Sequence, residues 1–328
     1  MRVIFMGTAA FACPTLQQLL VSPHEIVAVV TQPDRPRGRG QHTEASPVKT
    51  LAVAQHVPVV QPRSLRPPTV LETLASYQPD VIVVVAYGNM LPPAVLTLPR
   101  YGCVNLHASL LPKYRGAAPI NWAIIAGETL TGYTIMQMDE HLDTGPMLWR
   151  ETCPIAVDED AASLTSRLAE AGGHGMLHVL EALAAGTLRA QPQPEAGASY
   201  APKLTRALGR VDWQASARTI HDLVRGLVPW PGATALWQGT AVKLWRTRVD
   251  ELSSTGTPGT ITAITAEGCR VACGTQQLLV QELQPANRRR MLAQAFVQGY
   301  RVRVGDRFDQ DHDAPDRAAD SPPDPAHA

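Results

Sequence analysis

Short apolar runs alternate with helix-length amphipathic stretches over the first half of the chain. VIFM (3–6), EIVAVV (25–30) and VIVVVA (81–86) each read as a strand. The third is apolar at every position, as a strand buried on both faces must be. Helical stretches over about 11–21, 46–56 and 69–77 fall between or beside them. CVNLHA (103–108) and the alternating TGYTIMQM (131–138) add two strands, and a long helix over about 160–185 ends at Gly186. Strands separated by helices predict an α/β domain, a mostly parallel sheet covered by helices.

The pattern changes near residue 190. AQPQPEAGASYAPKL (190–204) has the Pro, Ala and Gly content of a linker. A helix over about 214–226 follows, and the remainder to about 304 is read as short β-like runs: ATALW, AVKLW, GTITAI, CRVAC and QLLVQEL. Short strands at this spacing predict a small barrel or sandwich. The expected organisation is a first domain over 1–189, a linker over 190–206, a smaller β domain over 207–308 and a tail over 309–328. The tail is Pro- and Asp-rich with almost no large apolar side chain, and it is expected to be disordered.

Composition sharpens this division. The 328 residues suit two domains at ~150 residues each. With 45% apolar and 18% charged residues, global disorder is excluded. Basic and acidic residues both number 29, but the balance is local. Residues 205–308 hold 14 basic and 7 acidic side chains, whereas the tail holds 1 and 6. A neutral chain therefore contains a cationic β domain. No run approaches the roughly 18 unbroken apolar residues of a membrane span, and the N-terminus lacks a signal or transit pattern. The five cysteines are odd in number, and the C-x3-C pair has no histidine cluster beside it, which argues against a disulfide framework and a zinc site. The expected setting is the cytoplasm of a bacterium.

Four segments are candidates for chemistry. Gly7-Thr8-Ala9-Ala10-Phe11-Ala12 follows the first strand but has one glycine where a dinucleotide fingerprint needs three, so Gly7 is read as a turn. Thr31–Pro47 is a long unstructured stretch carrying Arg35, Arg37 and Arg39, either a solvated insertion or a flexible finger for an anionic ligand. In Asn105-Leu106-His107, the polar pair is two apart and shares one strand face at the carboxyl end, where open α/β sheets bind ligands. Of the three acids in Asp139-Glu140-His141-Leu142-Asp143-Thr144-Gly145, Asp143 is best placed for a turn to aim back across the sheet.

HASLLPKYRGAAPI, with MQMDEHLDTG downstream and NLH and VVVAYGNMLP upstream, resembles the folate-dependent formyltransferases. TQPDRPRGRG and the basic β-rich C-terminal half resemble the branch that formylates methionyl-tRNA, and the similarity runs from about residue 2 to 305. The resemblance implies a Rossmann-like formyltransferase domain followed by an OB-like barrel. It implies a monomer that moves the formyl group of 10-formyltetrahydrofolate to the α-amine of methionyl initiator tRNA, without a metal. By motif position it assigns Asn105, His107 and Asp143 to catalysis and Ser109, Leu110, Leu111 and Pro112 to folate contact. It assigns the loop at 32–45, with Arg35, Arg37 and Arg39, to the tRNA acceptor arm. Ala9, Ala10, Tyr114 and QHTEAS depart from the family's usual residues, the last weakening the loop's basic character. Two alternatives are carried: another formyl-folate transferase or hydrolase with the same Asn-His-Asp site, and a non-catalytic RNA-binding module on this fold.

Overall fold

A computed structural model describes residues 1–37, 42–254 and 256–309, without side chains at 35–37, 42 and 43. The chain order is β1 (Arg2–Gly7), α1 (Cys13–Leu20), β2 (Glu25–Val30), β3 (Arg35–Arg37), β4 (His42–Glu44), α2 (Pro47–Ala54), β5 (Val59–Val60) and α3 (Pro68–Ser76). It continues with β6 (Val81–Val85), α4 (Pro93–Leu96), β7 (Cys103–His107), β8 (Arg115–Gly116), α5 (Pro119–Ile125), β9 (Leu130–Gln137), β10 (Met147–Pro154) and α6 (Ala161–Ala185). After β11 (Tyr200–Ala201) come α7 (Ala217–Gly226), β12 (Ala233–Trp237), β13 (Thr240–Asp250), β14 (Ile261–Thr265), β15 (Gly268–Ala272), β16 (Gln277–Pro285), β17 (Met291–Leu292) and α8 (Ala293–Tyr300).

Seven strands form the first sheet in the order β10-β9-β7-β6-β1-β2-β5. The five from β7 to β5 are parallel, and β9 and β10 add antiparallel to that edge. Side-chain alternation divides the sheet into two cores. Val3, Phe5, Val83, Val85, Val104 and Leu106 pack with Leu16, Leu168, Met176 and Val179 of α1 and α6. Ile4, Met6, Ile82, Val84 and Cys103 pack with Leu74, Val95 and Leu96 of α3 and α4. All five residues of β6 are buried, which is why VIVVV carries no polar position. The Asp160 side chain caps α6 by accepting from the Ser163 N–H at 2.8 Å, and Gly186 ends it at φ 67°.

In the C-terminal half, β12-β13-β16-β15-β14 form an antiparallel sheet with β17 on β16. The chain end closes it. Leu236 of β12 exchanges both backbone hydrogen bonds with Asp309, at 3.1 and 2.9 Å. On the other edge, Ile261 donates to Asp306 O at 2.8 Å and Phe308 donates to Gly259 O at 2.9 Å. Segment 305–309 thus joins β12 to the β14 edge, and Phe308 seats fully buried among Trp213, Trp237 and Phe296.

The structure corrects two expectations. The Arg-bearing stretch is not an unstructured loop throughout: β3 and β4 pair antiparallel with Arg35 opposite Glu44 and Arg37 opposite His42. Strands of three residues broken by Pro and Gly are too short to show a period. The five named runs are strands, but the stretch to 304 is not β throughout, since α8 places Ala293 and Phe296 at helical spacing on the buried side. Gln310 onward, the region of the acidic tail, and Arg39 lie outside the described residues.

The two halves are joined through α7. His221 Nδ1 lies 3.0 Å from Thr247 Oγ1, and its Nε2 lies 3.2 Å from Val157 O and 3.4 Å from Asp158 Oδ1. Arg225 Nε donates to Asp222 at 2.8 Å and its Nη1 to Glu159 O at 3.1 Å. Burial depresses the His221 pKa below its ordinary value, against opposing pulls from the Val157 carbonyl, Asp222 and Asp158 and with a further push from Arg225. At high pH the ring is neutral in folded and unfolded chains alike. As pH falls through the unfolded value of ~6.5, the unfolded chain takes a proton that the folded one does not, so stability falls. Melting temperatures recorded from about pH 7.5 to 5.5 should decline, and His221→Gln should flatten that decline. An identical slope in the variant would contradict the assignment.

Candidate active site

Alternation along β7 decides where its polar residues point. Val104 and Leu106 enter the core under α1 and α6, so Cys103, Asn105 and His107 face the other way. The strand is central to this part of the sheet, with Asn105 opposite Val84 on one side and Met136 on the other. Asn105 is half-buried, and its amide makes no hydrogen bond among the described residues. His107 is 6% exposed, and its Nε2 lies 2.9 Å from Tyr114 O, which fixes a proton on that nitrogen.

Because β9 is antiparallel to β7, the loop after it leaves beside the beginning of β7 and then turns back over this face. That return brings Asp143 Oδ2 to 3.5 Å from His107 Nδ1. Both ring nitrogens of His107 therefore face oxygen atoms. The same Asp143 oxygen accepts the Gly116 N–H at 2.8 Å. Asp143 holds a left-handed backbone at φ 54°, unusual for a residue with a Cβ. Gly145 is dictated by contact, since a methyl group there would lie 1.8 Å from Gln137 O. Of the other acids in this turn, Asp139 accepts from His141 N and Thr144 Oγ1, and Glu140 is exposed. Only Asp143 reaches the histidine.

The Ser109–Pro112 segment leaves the end of β7 as a braced loop. Ser109 Oγ donates to Lys113 O at 2.6 Å. Thr134 Oγ1 donates to Ser109 O at 2.7 Å and accepts from Leu111 N at 3.1 Å. Leu110, Leu111 and Pro112 border a cavity of about 360 Å³ together with Lys113, Tyr114, Leu130 and Arg150. Asn105, His107 and Asp143 do not line this cavity; Tyr114 joins the two places, lining one and holding His107 through its carbonyl in the other. An apolar wall beside Arg150 and a Lys113–Glu128 pair suits a ligand with an aromatic body and a polar end. Lys113 is paired with Glu128 at 2.8 Å, and Glu128 also takes the Tyr114 hydroxyl at 2.9 Å. Burial, with Glu128 adding to it, pushes the Tyr114 phenol well above its ordinary pKa.

The sequence candidates thus divide. Asn105, His107 and Asp143 are brought together, and Ser109–Pro112 stands beside them. Arg35 and Arg37 lie on the β3 strand, with their side chains and all of Arg39 outside the described residues. Two residues that sequence reasoning passed over stand behind the Asp143 turn: Gln193 bonds to it directly, and Arg115 bonds to Gln193. Gln193 sits in the stretch read as linker, where composition gave no signal.

A family model described as formyl transferase matches residues 1–180, and one described as formyl transferase, C-terminal domain, matches residues 203–301. The methionyl-tRNA formyltransferase of Trichlorobacter lovleyi is 49% identical over 304 residues, covering 93% of this chain and 96% of its own. Among solved structures, an N-formyltransferase from Helicobacter canadensis in complex with folinic acid and dTDP-3-aminofucose aligns with TM-score 0.66 at 16% identity, over 85% of this chain and 98% of that one. HypX from Aquifex aeolicus in complex with tetrahydrofolic acid aligns with TM-score 0.61 at 20% identity over 93% of this chain, which spans 48% of the HypX chain. At these identities the two structures speak to the fold.

Proposed function

The chain belongs to the formyl transferase family, in which its curated relatives are methionyl-tRNA formyltransferases, and from that premise we propose how its residues carry the reaction. It is an enzyme that transfers a one-carbon formyl group to methionyl-tRNA for translation initiation. The donor is folate-derived, and 10-formyltetrahydrofolate is the proposed form, supplying a formyl carbon already activated on N10. The single observation that carries the catalytic reading is the convergence of Asn105, His107 and Asp143 on one face of the sheet beside the Ser109–Pro112 loop.

The methionyl α-amine attacks the formyl carbonyl, and negative charge grows on the carbonyl oxygen. The Asn105 amide, uncommitted among the described residues, and an N–H on His107 Nδ1, which Asp143 engages only at 3.5 Å, are the proposed donors for that charge. Preplaced donors of this kind are worth ~10²–10³ each in rate. Asp143 accepts the amine proton, directly or through a water, and its carboxylate holds the His107 ring. The tetrahedral adduct then collapses with cleavage of the C–N10 bond, and that proton passes to N10 as tetrahydrofolate leaves. Ser109, Leu110, Leu111 and Pro112 would hold the folate, Leu110 to Pro112 through their side of the cavity and Ser109 by shaping the loop. Orientation of two large substrates removes much of the barrier to such a transfer.

The tRNA reading draws on the cationic second half. Asn287–Arg290 are exposed, and Arg290 and Lys243 flank the Trp245 ring at 4.8 and 4.3 Å. Such a surface supplies phosphate contacts that carry no sequence information. Discrimination is assigned to the Arg35–Arg39 segment, which follows β2 in the chain. Formylation of charged initiator tRNA should exceed that of charged elongator methionine tRNA. Arg39→Ala should reduce kcat/KM for the initiator far more than it weakens general RNA binding. Equal losses that vanish as salt rises would leave the segment a phosphate contact only.

A further inference from the structure

The segment 190–204 behaves as part of the catalytic domain's surface rather than as a tether. Gln191 exchanges backbone hydrogen bonds with Met147 at 2.8 Å in each direction. Downstream, Arg115 N donates to Ser199 O at 2.8 Å, and β11 pairs in parallel with β8. Between these two anchors lies Gln193, whose register is therefore fixed from both sides.

The Gln193 carboxamide uses its full hydrogen-bonding capacity. Nε2 donates to Asp143 O at 2.9 Å and to Gly145 O at 2.8 Å. Oε1 accepts from Arg115 Nε at 3.2 Å and Nη2 at 2.8 Å. The orientation of the amide is not ambiguous, because carbonyls only accept and a guanidinium only donates. These bonds close a ring. Arg115 adjoins Gly116, the N–H of Gly116 holds the Asp143 carboxylate, and the Asp143 carbonyl returns to Gln193. Asp143 sits at φ 54°, a conformation that persists where surrounding contacts over-determine it.

We propose that Gln193 is a positioning residue for formyl transfer: its side chain holds the Asp143 turn so that the carboxylate meets His107. The proposal rests on the reading of Asn105, His107 and Asp143 as the catalytic trio. A misplacement near 1 Å of such a group costs on the order of 10² in rate, and that cost falls on turnover rather than on substrate affinity. Gln193→Ala should lower kcat by about ten- to a hundredfold, with KM for both substrates within about twofold of the parent. Gln193→Glu keeps an acceptor for Arg115 but loses the donors to Asp143 O and Gly145 O, and it should lose a comparable factor.

The deciding experiment is a double-mutant cycle in single-turnover formylation with the full chain. If Gln193 acts through Asp143, then Gln193→Ala slows the parent but adds nothing to the residual rate of Asp143→Ala. Equal slowing in both backgrounds, or parent-like kcat in both Gln193 variants, overturns the proposal. A parent-like rate for Asp143→Ala alone would instead overturn the reading of the trio. Thermal unfolding of each variant, measured alongside, separates a loss of folded protein from a loss of turnover.

Discussion

Asn105→Ala and His107→Ala are each expected to lower single-turnover formyl transfer by at least ~10², while folate affinity falls much less. In the proposed roles both act on charge that develops only as the amine attacks, so their removal should raise the barrier and leave ground-state binding largely alone. Asn105 is the cleaner test, because its amide bonds to no other described residue and its loss disturbs no network. His107→Ala also frees Tyr114 O and one side of Asp143, although the Gly116 N–H still holds that carboxylate. Rate and folate titration, measured on the same preparations, decide the matter. A rate that fell only as far as affinity did would remove these residues from the chemistry.

The second large effect concerns the closing segment of the β domain. Phe308→Ala is expected to destabilise that domain by about 3–5 kcal/mol, the range for deleting a buried aromatic side chain. Its ring is fully buried and lies 5.1 Å from Trp237, 5.8 Å from Trp213 and 6.2 Å from Phe296, so little can collapse into the space. A chain ending at Val304 should lose more, since the bonds from Asp306, Phe308 and Asp309 to both sheet edges go with it. A chain ending at Asp309 keeps them and is the control. Denaturant unfolding, read beside activity on charged tRNA, should separate the two truncations. Matching behaviour would contradict the closure.

Much of the first domain was legible because its signals are long and regular. VIVVVA reads as a buried strand, and the 25-residue α6 carries both its cap and its stop in the sequence. The exposed edge strand β10 was not read, since a strand with most of its residues in solvent shows little hydrophobic period. The helix α8 was absorbed into a run of strands because only Ala293 and Phe296 mark its buried side. At the site, the two-residue spacing of Asn105 and His107 was enough to place both on one face. Their partner Asp143 was the favoured acid of its turn from the residues alone, but its pairing with His107 was not legible there, because the turn that returns it depends on β9 running antiparallel to β7. The part played by Gln193 was hidden for a different reason. A Pro- and Ala-rich stretch carries no period whether it is free or bonded along its length, and only the partners on the other side reveal which.

In the proposed reaction the formyl group leaves a folate donor and arrives on the α-amine of methionyl initiator tRNA. The most direct test follows the fate of a labelled formyl carbon in 10-formyltetrahydrofolate incubated with the enzyme and charged initiator tRNA. The label should appear as N-formylmethionine on the tRNA, in proportion to tetrahydrofolate formed. It should remain on the donor when the tRNA is uncharged. Label released as formate at the same rate with or without charged tRNA would show a hydrolase at this site and contradict the claim.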